Sequence, residues 1–155
     1  MTRSFSEWAK WSERKNLLKL QYPGVYAIAL SERDISGTPF SWCSEIIYIG
    51  MTNAKGGLKS RLGQFENTIR GKKGHGGAHR VRFKHSDYSK LVPTLYVSVY
   101  PHECNVQSNN PMDLRIMGDV AKLEYECFAV FVEHFGRLPE FNDKKRSPKK
   151  CTGSA

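Results

Sequence analysis

A chain of 155 residues suffices for one hydrophobic core and is short for two. Its hydrophobic fraction of 39%, with 12% aromatic, excludes wholesale disorder, and no apolar run reaches the roughly 18 residues of a membrane span. With 24 Lys and Arg against 15 Asp and Glu, the net charge of +9 favours a polyanionic partner, nucleic acid before an anionic membrane, over a basic protein that has none. Cysteines at 43, 104, 127 and 151 form no Cys-x-x-Cys pair, and no secretory signal is visible. Disulfides and a zinc ribbon are therefore not expected. His102 and Cys104 lack a second ligand pair, and a cytoplasmic, reducing setting is the expectation.

Residues 4–18, SFSEWAKWSERKNLL, have helical periodicity, with Trp8, Trp11, Leu17 and Leu18 along one stripe and Ser4 or Ser6 as cap. They predict an N-terminal helix over residues 1–20 that covers one side of a sheet. The run GVYAIAL, Gly24 to Leu30, reads as a strand. Residues 31–44 read as a loop from which Phe40 or Trp42 packs inward. Ile46 to Gly50 supplies a second strand. By alternation Tyr26 shares its face with Ile28 and Leu30, and Tyr48 with Ile46 and Gly50. Leu58, Leu62, Phe65 and Ile69 fall at helical spacing, with Lys59, Arg61 and Arg70 on other faces. Residues 70–85, RGKKGHGGAHRVRFKH, combine glycines, which let a backbone approach a phosphate, with cations that neutralise one. Lys59, Lys72, Lys73, His79 and Arg80 are the candidate nucleic-acid contacts. A solvated charged loop is the alternative.

Residues 91–100 alternate after Pro93 as a third strand with one polar face. Asn110, Pro111 and Asp113 open a helix that ends at Gly136, with Pro139 just beyond. It is apolar nearly all round between Cys127 and Val132, which predicts burial. Glu124 and Glu126 lie on it about 200° apart, so they cannot share a face. One is expected to be functional and the other a surface or salt-bridge residue. Residues 143–155 read as a basic, disordered tail.

Gly24-Val25-Tyr26, Tyr48-Ile49-Gly50, Arg61, the later acidic helix and Pro139-Glu140-Phe141-Asn142 occur in that order. Together they resemble the signature of the GIY-YIG nuclease superfamily, across residues 24–142. The resemblance implies an α/β (α+β) domain over residues 21–142, a small three-stranded antiparallel sheet flanked by helices. It implies a DNA endonuclease that hydrolyses phosphodiester bonds of duplex or branched DNA with Mg2+ or Mn2+. A glutamate on the late helix would hold the metal, while water and substrate complete the octahedron. Helix phase relative to Pro139 and the Leu123-Glu124 pair select Glu124, with Glu126 the second choice.

By the same resemblance Arg61 binds the phosphate, Tyr26 is the general base and Tyr48 positions water or phosphate, although the residues alone do not separate the two tyrosines. His75 assists proton transfer or holds phosphate, and Asn142 braces the site. The chain departs from the family pattern in its long 31–44 insertion, its longer Glu-to-Asn separation and Met51, where some relatives carry lysine. A non-catalytic nucleic-acid-binding module on the same fold is the alternative reading. No membrane partner is expected, and a double-strand cut with one site per chain needs a homodimer or two successive nicks.

Overall fold

The computed structural model describes residues 4–149. Four antiparallel strands form one sheet in the order β1-β4-β2-β3: β1 is Ala9–Lys10, β2 Gly24–Leu30, β3 Ile46–Thr52 and β4 Leu95–Pro101. The expected sheet had three strands, and the fourth comes from the segment expected to be a helix. Ser6 and Ala9–Lys10 run extended along β4, with Ala9 opposite Val97 and Lys10 opposite Tyr96, and only Trp11–Asn16 turns, as a 3-10 helix. The free edge of β4 explains the change, because its ladder groups need partners. Ser6 supplies them: its N–H donates to Val99 O at 2.8 Å and its hydroxyl accepts from Val99 N at 3.0 Å. In a helix Trp8 and Trp11 would share one stripe. Here Trp8 packs into the core on one side of the sheet and Trp11 into the core on the other, while Leu18 stays 79% exposed. Residues 1–3 lie outside the described residues.

Helices cover both faces. On one side lie α1, Gly57–Ile69, α2, Gly76–Lys84, and the short α3, Tyr88–Leu91, with a core that includes Tyr26, Ile28, Leu62, Phe65 and Val97. The glycine-rich basic segment is thus helical over its second half. The first turn of α1 docks on the preceding chain: Leu58 N donates to Tyr22 O and Lys59 N to Leu20 O, which satisfies donors that a helix start leaves unpaired. Gly57 makes this possible, since at φ +64° any Cβ would stand 2.4 Å from Gln21 O. Glu66 on α1 gathers Trp11 Nε1, Arg70 Nε and the Tyr88 hydroxyl. Burial pushes its carboxyl up, but the bonds from Tyr88, Trp11 and Arg70 outweigh that and hold it below the ordinary range.

On the other side α4, Pro111–Phe135, packs against β3 and β2. Asn110 caps it by accepting from Met112 N at 2.9 Å, and Gly136 closes it at φ 69°, as the sequence signals predict. Its burial differs from the expectation. Val120, Cys127 and Phe131 are buried, but Tyr125 and Val132 face solvent, because a single layer can cover only one face of the helix.

Register corrects a further expectation. Ile28 pairs with Tyr48 but Ala29 with Ile46, so Ile47 is an extra residue in a β-bulge. The bulge moves Ile46 to the face opposite Tyr48, which shares the face of Tyr26 through the pairs Tyr26–Gly50 and Ile28–Tyr48. After α4 the chain closes the outer edge of β3. Phe141 N donates to Ile47 O, and Asn142 both accepts from Ile49 N and donates to Ile49 O, each at 2.8 Å. Residues 143–147, expected to be disordered, form a turn in which Asp143 Oδ1 accepts from Lys145 N and Arg146 N. The rest of that expectation, from Lys150, falls outside the described residues.

Candidate active site

Two glycines make room for the two tyrosines. Tyr26 lies directly opposite Gly50, and a Cβ on Gly50 would stand 2.5 Å from the Tyr26 Cζ and hydroxyl. The space that Gly50 leaves is thus filled by Tyr26. A Cβ on Gly77, in the first turn of α2, would stand 2.3 Å from Tyr48 Cε2. The tyrosine rings are 6.0 Å apart between centroids, with His75 5.4 Å from Tyr48. Tyr26 is wholly buried, whereas Tyr48 borders solvent.

His75 caps α2. Its Nδ1 accepts from Ala78 N at 3.1 Å, so that nitrogen carries no proton, and the neutral ring then holds its proton on Nε2. Nε2 lies 2.7 Å from the Tyr26 hydroxyl and donates to it. Thr68 Oγ1 accepts from His75 N and secures the turn. Burial and, after it, the charge of Arg61 push the imidazole down to about 3. Titration near neutrality, the basis of the expected proton-transfer role, is therefore lost, and His75 acts as a fixed neutral donor. This has a consequence for stability. The unfolded imidazole takes a proton below about 6.5 that the folded one refuses, so stability is full above that pH and falls as pH drops towards 3. Thermal midpoints of the wild type should decline between pH 6.5 and about 4.5, above the carboxylate range, and those of His75→Gln should be flatter there. Parallel slopes in the two proteins would show that the buried ring accepts a proton in the fold.

Burial, then Tyr48, drives the Tyr26 hydroxyl well above the ordinary tyrosine range, and Arg61 opposes both. Burial also raises Tyr48, less strongly, while Arg61 and a hydrogen bond from Tyr26 favour its phenolate. The pair therefore assigns the greater acidity to Tyr48. Arg61, on α1, donates from Nη1 to Gln64 Oε1 at 2.9 Å, but its Nε is buried with no hydrogen-bond partner among the described residues. Glu124 reaches the same place from α4. Its half-buried carboxyl is raised by burial and steadied by Arg61, and its charge is felt at Tyr48. No hydrogen bond or ion pair reaches that carboxylate among the described residues. Glu126 points to solvent, away from this cluster.

The Glu124 carboxylate, with no ion-pair partner among the described residues, fits a hard divalent cation that keeps most of its waters, such as Mg2+, while the unpaired Arg61 N–H suits an anion. Among the described residues no group of three or more His, Cys, Asp and Glu converges. Asn142 lies behind β3 and braces Ile49 through both amide bonds, without joining the cluster.

The basic residues divide. Lys72, Lys73 and His79, together with Arg82 and Lys149, line a cavity of about 640 Å3 that has His75 in its wall. Lys59 is exposed on α1. Arg80 is a correction: it is buried, and its Nη1 donates to Phe141 O at 3.0 Å, so it ties α2 to the chain behind β3. Sequence reasoning missed Gly77, Thr68, Arg82 and Lys149. The Gly-Gly pair was the only signal for Gly77, and nothing local tells that a tyrosine ring will lie against it. Comparison with protein families, with curated proteins and with solved structures yields no match. Among the described residues no helix is long and apolar enough to cross a membrane.

Proposed function

We propose that this protein is a DNA endonuclease of the GIY-YIG type, hydrolysing phosphodiester bonds. One observation carries the reading. Tyr26, Tyr48, Arg61, His75 and Glu124 come from five elements to one place, and there the Arg61 Nε and the Glu124 carboxylate have no partner. Buried polar groups are normally paired, so the buried Arg61 Nε suits an anionic group, and the half-buried Glu124 carboxylate, which Arg61 feels electrostatically, suits a cation. Glu124 would hold Mg2+ or Mn2+, which supplies charge neutralisation on the phosphate and help for the leaving oxygen. Arg61 donates to a non-bridging oxygen as charge develops there. Tyr48, as phenolate, takes a proton from the attacking water while the new P–O bond forms. The bridging oxygen departs with the old bond's electron pair and is protonated from solvent. Tyr26, held by His75, donates to the Tyr48 oxygen and keeps it in place. Assigning the base to Tyr48, where the family resemblance suggests Tyr26, follows from its exposure and its lesser pKa rise.

A nicking assay on plasmid and branched DNA at low salt tests the reading. Cleavage should require Mg2+ or Mn2+ and stop in excess EDTA. Robust cleavage in EDTA would remove the metal role. The alternative, a non-catalytic nucleic-acid-binding module, draws on the same tyrosines, since both hydroxyls stay protonated near pH 7. The pH profile separates the two. If Tyr48 is the base, the single-turnover rate climbs up to about tenfold per pH unit from 7 to 9, because the phenolate fraction grows so below its pKa. Tyr48→Phe should abolish both the slope and most of the rate. An acid limb near 6.5, the ordinary His value, would instead assign proton transfer to His75.

The cationic cavity is proposed to bind the DNA backbone away from the cut. Replacing Lys72 and Lys73 with Ala should weaken binding to all sequences alike. It should also flatten the plot of log affinity against log salt by about 1.8, at about 0.9 per phosphate contact. Arg80→Ala should lower the thermal midpoint and leave that slope alone, given its bond to Phe141. A slope unchanged by the double lysine substitution would make the segment structural.

A further inference from the structure

The fold leaves an apolar stripe of α4 uncovered. At about 100° per residue, Leu114, Gly118, Ala121, Tyr125, Ala129 and Val132 follow one line along the helix, turned away from the buried Val120, Cys127 and Phe131. Leu114 is 49% exposed, Tyr125 72% and Val132 42%, and a Cβ on Gly118 would have no heavy atom within 4 Å. Beside this stripe runs a flank of exposed charges, with Asp119 at its outer edge. Arg115 and Lys122 stand in the first half, Glu126 and Glu133 in the second. None of the four takes part in an ion pair among the described residues, although six other pairs form there.

We propose that α4 pairs with α4 of a second copy of this chain, antiparallel, about a two-fold axis near residues 123 and 124. Such an axis brings the same flank of both helices side by side with direction reversed. Arg115 then meets Glu133 of the second copy and Lys122 meets its Glu126, so all four unpaired charges find opposite partners at both ends of the contact. Along the stripe Tyr125 of each copy lies over Ala121 of the other, and Gly118 leaves the backbones free to approach. A parallel pairing offers none of these matches. Glu124 lies on the opposite flank of α4, so pairing leaves it uncovered and sets both Glu124 carboxylates on the same side of the dimer. That consequence, two cleavage sites presented to one duplex, rests on the nuclease reading. The pairing itself does not.

Sedimentation velocity on the full chain from about 1 to 100 μM, a range that brackets a micromolar dimer, reads the association without any cleavage assay. The wild type should sediment as a dimer. Tyr125→Arg should sediment as a monomer with an unchanged circular dichroism spectrum, since the ring it replaces is exposed. Arg115→Glu alone and Glu133→Arg alone should each weaken association at least about tenfold through like charges at two symmetric places. Mixed one to one, these two variants should recover wild-type association, because every contact in their heterodimer is again between opposite charges. A monomeric wild type at the highest concentration, or a dimeric Tyr125→Arg, overturns the proposal. A mixture that associates no better than its components overturns the antiparallel alignment.

Discussion

Glu124→Gln is expected to lower Mg2+-dependent nicking by about 1,000-fold or more, a barrier increase of about 4 kcal/mol. The amide keeps the shape of the side chain and loses the charge that attracts the cation. DNA binding should persist or tighten, because one repulsion of the phosphate is gone. The fold should not suffer. Burial raises the Glu124 carboxyl, so the folded state binds its proton more tightly than the unfolded chain does. An ionised Glu124 therefore costs stability above its folded pKa, and a neutral amide removes that cost. The thermal midpoint at pH 7 should stay level or rise. Glu126→Gln, on the solvent side of α4, should leave the rate within about tenfold, near 1.4 kcal/mol. Arg61→Ala, measured beside them, should lose about 100- to 1,000-fold, as removal of a donor to developing charge does. A contaminating nuclease would ignore all three changes. Full activity in both glutamate variants would sink the catalytic reading and favour the binding module.

One added methyl group should have opposite effects at the two glycines. In Gly50→Ala the new Cβ would meet the Tyr26 ring at 2.5 Å, and Tyr26 is enclosed on all sides and bonded to His75. The ring cannot retreat, so the clash should appear as a loss of about 3 kcal/mol in urea unfolding, the upper range for an overpacked core. In Gly77→Ala the new Cβ would meet Tyr48 at 2.3 Å, but Tyr48 borders solvent and can swing outward. Stability should then change by less than about 1 kcal/mol, helped by the better helix propensity of alanine. The cost should fall on the chemistry. A ring displaced by about 1 Å can lower the rate about 100-fold. Single-turnover rates and urea midpoints on the same preparations separate the outcomes. A stable Gly50→Ala would mean that Tyr26 has room to move, and a fully active Gly77→Ala would remove Tyr48 from the proton-accepting role.

Local signals carried much of this molecule. Asn110, Pro111 and Gly136 mark both ends of α4 because capping acts within a few residues, and the spacing of Leu58, Leu62, Phe65 and Ile69 marks α1 for the same reason. The apolar runs that form β2, β3 and β4 were likewise readable from the chain alone. Tertiary structure decided the rest, since it depends on partners distant in sequence. The N-terminal segment has helical spacing, yet its Ala9–Lys10 pairs as a strand because β4 has an edge to be paired. Alternation put Tyr48 on a face with Ile46, but the bulge at Ile47 arises only in pairing with β2. The spacing of Glu124 and Glu126 separates their faces, but only the packing of α4 on β3 turns Glu124 towards Arg61 and Tyr48. Arg80 reads as a surface cation until the carbonyl of Phe141, 61 residues away, takes its hydrogen bond. Whether His75 titrates near neutrality was likewise beyond the sequence, because burial sets its pKa and burial belongs to the whole fold.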